Sequence, residues 1–160
     1  MIVVSDTSPL NYLVLIGAID VLPTLFTDVH TPPEVIAELL HPRTPDIVRL
    51  WAQSPPAWLH ITRATLPPPA HPGLGAGETQ AIALAKQLHA AYVLIDERDG
   101  TKAALDEGLT VIGTLAVLEQ AASLKLLDLP TTLQNLTQTS FRISPALIRA
   151  ALQRDALRRS

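Results

Sequence analysis

Short apolar runs alternate with segments of helical spacing along most of this chain. Ile2-Val3-Val4 opens it, and Tyr92-Val93-Leu94-Ile95 repeats the theme; each run stops at a polar residue, as a buried strand does. Strands are predicted over 2–5, 28–30, 58–61, 92–95 and 109–112. Helices are predicted over 9–16, 20–25, 32–40, 45–53, 78–89, 99–107, 114–123, 129–137 and 145–158. Pro9 follows Ser8, and Pro32-Pro33 follow Thr31. Proline suits the first turn of a helix, where no N–H bond is lost, so Ser8 and Thr31 are read as caps. Gly17 and Gly108 mark helix ends, and Thr114 reads as a further cap. The stretch 65–77, rich in proline and glycine, reads as loop. Strands alternating with helices predict an α/β fold, with βαβ crossovers and a mainly parallel sheet covered on both faces. A length of 160 residues suits a single domain.

Composition narrows the chemistry. Apolar residues make up 48% of the chain but aromatics only 4%, so Leu, Ile, Val and Ala must fill the core. There is no cysteine, which removes disulfides, thiolate metal sites and a cysteine nucleophile. No apolar run reaches the roughly 18–20 residues that span a bilayer, and the first residues lack the basic flank of a secretory signal. The expectation is a cytoplasmic protein with no membrane partner. The net charge of −3 is uneven: residues 141–160 carry five arginines against Asp155 alone, leaving the remaining 140 residues at −7. Such an acidic body does not attract nucleic acid by bulk charge.

The acids carry the chemistry. Asp6 and Asp96 stand where two buried strands stop, and in an open parallel sheet that edge is where ligands bind. Neighbouring strands lie about 4.8 Å apart. If strands 2–5 and 92–95 pair, these two carboxylates are close enough to share a cation. Glu38, Glu78 and Asp99 sit on or beside predicted helices. Carboxylates gathered at one edge repel one another unless something cationic separates them. Mg²⁺ or Mn²⁺ is the simplest candidate, since hard cations prefer oxygen ligands. Each acid also has a structural reading. Asp6 suits a turn, Asp99 a helix cap and Glu38 a half-exposed helical position. Glu78 gains about 0.3–1 kcal/mol at a helix N-terminus.

Other chemistries lack their motifs. Gly73 to Gly77 follows prolines rather than a strand and lacks the Gly-Lys-Ser/Thr ending of a phosphate loop. The five histidines form no His-Glu-x-x-His pair. There is no Gly-x-Ser-x-Gly. Asp6 is followed by Thr7-Ser8 rather than by the x-Asp that a haloacid-dehalogenase-type phosphatase needs.

In these residues the chain resembles a PIN domain, and more narrowly a branch catalogued as a domain of unknown function beside VapC-type toxins. The matching pieces are Ser5-Asp6-Thr7-Ser8-Pro9-Leu10, Pro32 to Leu39, Gly75 to Ile82, Leu94 to Gly100 and Gly113 to Leu118. They occur in the expected order over 1–127, and residues 128–160 match loosely. The resemblance implies a three-layer α/β/α sandwich and a metal-dependent nuclease pocket. It implies that Asp6, Glu38, Glu78 and Asp96 ligate Mg²⁺ or Mn²⁺, with Asp99 in or near the shell. The implied activity is endoribonuclease cleavage, by the toxin of a toxin–antitoxin pair. The implied partners are an RNA substrate, a cognate antitoxin and a second copy in a homodimer. Thr7 or Ser8 could contact a phosphate, and Arg98 and Lys102 lie close enough in sequence to touch the RNA backbone. A different class stays open: a catalytically silent module that binds RNA or a protein partner. Metal-dependent turnover separates the two.

Overall fold

The computed structural model describes residues 1–160. Five strands form one parallel sheet: β1 (Ile2–Ser5), β2 (Asp28–Thr31), β3 (Leu59–Ile61), β4 (Tyr92–Leu94) and β5 (Val111–Ile112), in the order β3-β2-β1-β4-β5. Nine helices surround it: α1 (Thr7–Leu15), α2 (Leu22–Leu25), α3 (Pro33–Leu39), α4 (Asp46–Gln53), α5 (Ala76–Gln87), α6 (Arg98–Asp106), α7 (Thr114–Ser123), α8 (Leu129–Thr137) and α9 (Pro145–Arg159). No single helix is long and apolar enough to cross a membrane.

Side chains alternate across a strand, so successive residues feed opposite layers. Val3 and Leu94 join the larger core with Leu10, Leu13, Val35, Val48, Leu118 and Leu133. Val4, Val93 and Ile95 join the smaller core with Ala81, Ile82, Leu84 and Ala103. The sheet therefore lies between α5 and α6 on one face and the other long helices on the opposite face. This is a three-layer α/β/α sandwich, the architecture that the resemblance implies. Strands are added outward through β2 and β3, and the chain then returns to the other side of β1 for β4 and β5. That reversal opens a crevice between the carboxyl ends of β1 and β4, the place where open α/β sheets bind ligands.

Several helix starts differ from the sequence expectation. α1 begins at Thr7 with Asp6 at the cap position, so Ser8 already lies inside the helix. Thr31 is the last residue of β2, and its buried hydroxyl donates to the Ser5 carbonyl at 2.8 Å. Pro32 takes the cap position of α3 instead. α5 starts at Ala76, so 76–77 belong to the helix and not to the loop before it. Asp99 is in the first turn of α6, whose cap position is Glu97. Thr114 is the first residue of α7 rather than its cap. In each case a proline, glycine or acid adopts the extended backbone that precedes a helix. Hydroxyls that local spacing assigned to capping are used between elements. β5 is short, over 111–112, although the Thr110 carbonyl still accepts from the Val93 N–H at 2.9 Å.

Candidate active site

The crevice is walled by acids, and each arrives from a different element. Asp6 is the first residue past β1, and its N–H donates to the Leu94 carbonyl at 3.0 Å, which holds the ends of β1 and β4 together. Its side chain is buried at 2% exposure, and Oδ1 has no hydrogen-bond donor. Burial is the main reason its carboxyl is pushed up to about 7, assisted by Glu78, Glu38 and Glu97 and opposed by a backbone bond to Thr7.

Glu78 enters from the first turn of α5. Its Oε1 accepts from the Gly75 N–H at 3.3 Å, which satisfies one free donor at the helix start. Gly75 has no side chain to return the favour, so only half of a capping box is present. The other oxygen, Oε2, is buried with no donor. Burial raises the Glu78 carboxyl above its ordinary value, with Glu97, Glu38 and Asp99 adding to it against the Gly75 bond.

Glu38 projects from α3 and ties three elements together. One oxygen accepts from the Gly77 N–H at 3.0 Å, and the other from the Thr7 hydroxyl. Gly77 leaves room for this carboxylate: a Cβ would lie 2.5 Å from Glu38 Oε2 and displace it. Gly100 does the same for Glu78, since its Cβ would lie 2.5 Å from Oε2. Two glycines on neighbouring helices thus make the room into which two glutamates fit.

Asp96 follows β4 and is clamped by α7. Oδ1 accepts from the Thr114 N–H and Oδ2 from the Thr114 hydroxyl, both at 2.7 Å. Burial raises its carboxyl, Thr114 opposes the rise, and Glu97 adds to it. Asp99 is exposed at the rim, near enough to Glu78 to affect its charge.

The five acids predicted from sequence therefore gather at the carboxyl edge of the sheet, although they do not all point at one spot. As the side chains stand, no three of them form a group that could hold a metal ion. The reason is visible in their bonds. Glu38 and Asp96 direct both oxygens at protein donors, and Asp99 faces solvent. The donor chemistry nevertheless suits a hard cation. Asp6 Oδ1 and Glu78 Oε2 are buried acceptors with nothing donated to them. Each Asp96 oxygen retains a second lone pair beside its Thr114 bond. An oxygen set of this kind fits Mg²⁺ or Mn²⁺ and offers nothing to a softer metal.

A family model described as PIN domain matches residues 2–156. The chain belongs to the PIN-domain family. PIN domains are generally nucleases and typically use divalent metals. No curated protein and no solved structure matches this chain. In this PIN domain, sequence reasoning passed over two contributors. Glu97 repels Asp6, Glu78 and Asp96, and its Oε1 is 3.5 Å from the Ser8 hydroxyl. Its adjacency to Asp96 was the available signal. Thr114 orients Asp96 from eighteen residues away, and no local pattern reveals such a bond.

Proposed function

We propose that this protein is a Mg²⁺- or Mn²⁺-dependent endoribonuclease that acts in the cytoplasm as the toxin of a toxin–antitoxin pair. The observation that carries the nuclease reading is the pair of buried, donorless carboxylate oxygens on Asp6 and Glu78 at the sheet's switch point. A buried acceptor without a donor costs roughly 1–3 kcal/mol, and more when charged. A bound cation removes that cost.

Asp6, Glu78 and Asp96 would hold the cation, with Glu38 and Asp99 completing its surroundings directly or through water. Bound there, a divalent ion supplies positive charge against a phosphodiester and acidifies a water for its hydrolysis. The chain's own contribution is preorganisation. Thr114 fixes Asp96, while Gly77 and Thr7 fix Glu38. Burial keeps Asp6 out of bulk water. Ser8 stands in the first turn of α1 at the crevice mouth, where its hydroxyl can meet a phosphate.

The toxin role rests on the family resemblance. The partners proposed with it are a small antitoxin protein and a second copy of this chain. The test of the nuclease reading is cleavage of a mixed set of structured RNAs by purified protein in Mg²⁺ or Mn²⁺, in EDTA, and by Asp96→Asn. Cleavage that requires metal and disappears in the variant supports it. Cleavage that survives in the variant, or none at all, defeats it and leaves the silent binding module.

A further inference from the structure

Three cavities run along the carboxyl edge and share walls. One of about 330 Å³ lies between α1 and the α3–α4 turn and is bordered by Thr7, Ser8, Glu38, Arg43 and Thr44. Ser8 also borders a larger one of about 680 Å³, whose wall includes Tyr12, Asp96, Arg98, Phe141 and Arg142. Asp96, Phe141 and Arg142 in turn border a third of about 350 Å³, lined by Leu115 and Ile143. The row passes beside Glu38 and Asp96 and has arginines on both sides of them. Arg43, Arg98 and Arg142 make no ion pair with any carboxylate within 4.0 Å, despite the acids nearby.

The loop that carries Phe141 and Arg142 is tied down. The Tyr12 hydroxyl meets the Ser140 hydroxyl at 3.0 Å, linking the loop to α1. Tyr12 and Phe141 pack edge to face with ring centres 5.0 Å apart. The Phe141 N–H donates to the Thr139 hydroxyl at 3.2 Å. An unpaired cation beside a held, half-buried aromatic ring suits a phosphate and its adjoining base. Base–aromatic stacking contributes roughly 1–3 kcal/mol per base. Preorganisation reduces the ordering cost of such a contact.

We propose that the cavity between α1 and the 140–142 loop is a nucleotide subsite, with Arg98 and Arg142 on a backbone phosphate and Phe141 against the unpaired base beside the cleaved bond. This rests on the ribonuclease reading for the identity of the strand. The neighbouring cavities extend the subsite into a track for single-stranded RNA, and Arg43 takes a phosphate on the far side of the acids. An unpaired base has a free face to lay against Phe141, whereas a base stacked within a duplex does not. The arginines also offset the repulsion between the acidic edge and the RNA backbone, which the bulk charge of the chain cannot do.

The test is binding, measured by fluorescence anisotropy across a salt series. The probe is a labelled unstructured RNA, alone and annealed to its complement, with Ca²⁺ as the divalent ion and the RNA recovered intact. Wild-type protein should bind the single strand at least tenfold more tightly than the duplex. Arg43→Ala, and Arg98→Ala combined with Arg142→Ala, should each weaken binding and reduce the slope of log affinity against log salt by about 0.7, one phosphate on a single strand, while Arg142→Ala alone should weaken binding with a smaller change of slope. Phe141→Ala should weaken binding with the slope unchanged. Lys125→Gln removes the same charge away from the track and should change neither. Equal binding of duplex, or an equal effect of Lys125→Gln, overturns the subsite in favour of diffuse attraction. Metal-dependent cleavage with no effect of Phe141→Ala or Arg142→Ala on binding sinks the subsite and spares the nuclease. Track-dependent binding without cleavage does the reverse.

Discussion

Two aspartates are buried almost equally, Asp6 at 2% exposure and Asp155 at 3%. Their surroundings are opposite. Asp155 lies on α9 and lines a cavity with the C-terminal end of α7, about 15 Å along that helix from Thr114 and the active edge. Arg158 reaches its Oδ1 at 3.4 Å and Arg159 its Oδ2 at 3.1 Å. Asp6 has no cation near it, and its charged neighbours are Glu78, Glu38 and Glu97. A buried acid held by arginines one turn along its own helix is a structural element. A buried acid surrounded by further acids is costly in the metal-free fold, and a bound cation relieves that cost.

The sharpest way to break this contrast is neutralisation. Asp6→Asn and Asp96→Asn should each lower RNA cleavage by about 10² or more, within the range for losing a preorganised electrostatic group. Asp155→Asn should leave the specific activity of the folded protein near wild type. Comparable loss from Asp155→Asn would erase the distinction between the two ends.

Stability should move the other way. Asp155→Asn leaves two arginines without their partner and should cost about 1–3 kcal/mol, less than a fully buried pair because both arginines are partly exposed. Asp6→Asn removes an uncompensated buried charge and should raise the melting temperature of metal-free protein at pH 8. Denaturant titrations of the two variants beside wild type settle the signs.

Adding Mn²⁺ should stabilise wild type by about 2.7 kcal/mol at a hundredfold excess over its dissociation constant. Asp6→Asn should lose most of that gain, and Asp155→Asn should keep it. Thr114→Val retains the shape of Thr114 and the backbone bond to Asp96 but removes the hydroxyl. It should cost roughly tenfold in metal affinity or activity, the lower part of the range for partners that orient a ligand.

The last effect is a slope with pH. Asp6 binds its proton more tightly in the folded chain, at about 7 against an ordinary 3.8. Its contribution is fully present below about pH 4 and is lost as pH rises through about 7, because the folded state then holds the extra proton. Metal-free wild type should therefore lose stability relative to Asp6→Asn across that window. A constant difference between the two from pH 4 to 8 would contradict the burial argument.

Much of the candidate site's placement was legible because two of its acids sit at the ends of strongly apolar runs. The strands over 2–5 and 92–95 follow from side-chain pattern, and their carboxyl ends place Asp6 and Asp96 at a sheet edge. Glu38 and Glu78 were less legible. Their helices are local, but their meeting depends on α3 packing against α5, where Gly77 leaves room for the Glu38 carboxylate. The caps misread at Ser8, Thr31 and Thr114 share one cause. A hydroxyl beside a proline or glycine looks local, while Thr31 bonds to β1 and Thr114 to Asp96.

The sequence by itself determined the α/β class, the positions of most strands and helices, and the set of acids with their order along the chain. These follow from periodicity and from residue types that act over a few neighbours. The tertiary structure decided the strand order β3-β2-β1-β4-β5 and thereby which strand ends share a crevice. It decided that Asp6 is set among further acids while Asp155 is given two arginines, and that Phe141 and Arg142 stand beside Asp96. Those relations join residues tens of positions apart. Charge compensation, burial and cavity shape depend on distance in space, which a one-dimensional pattern does not contain.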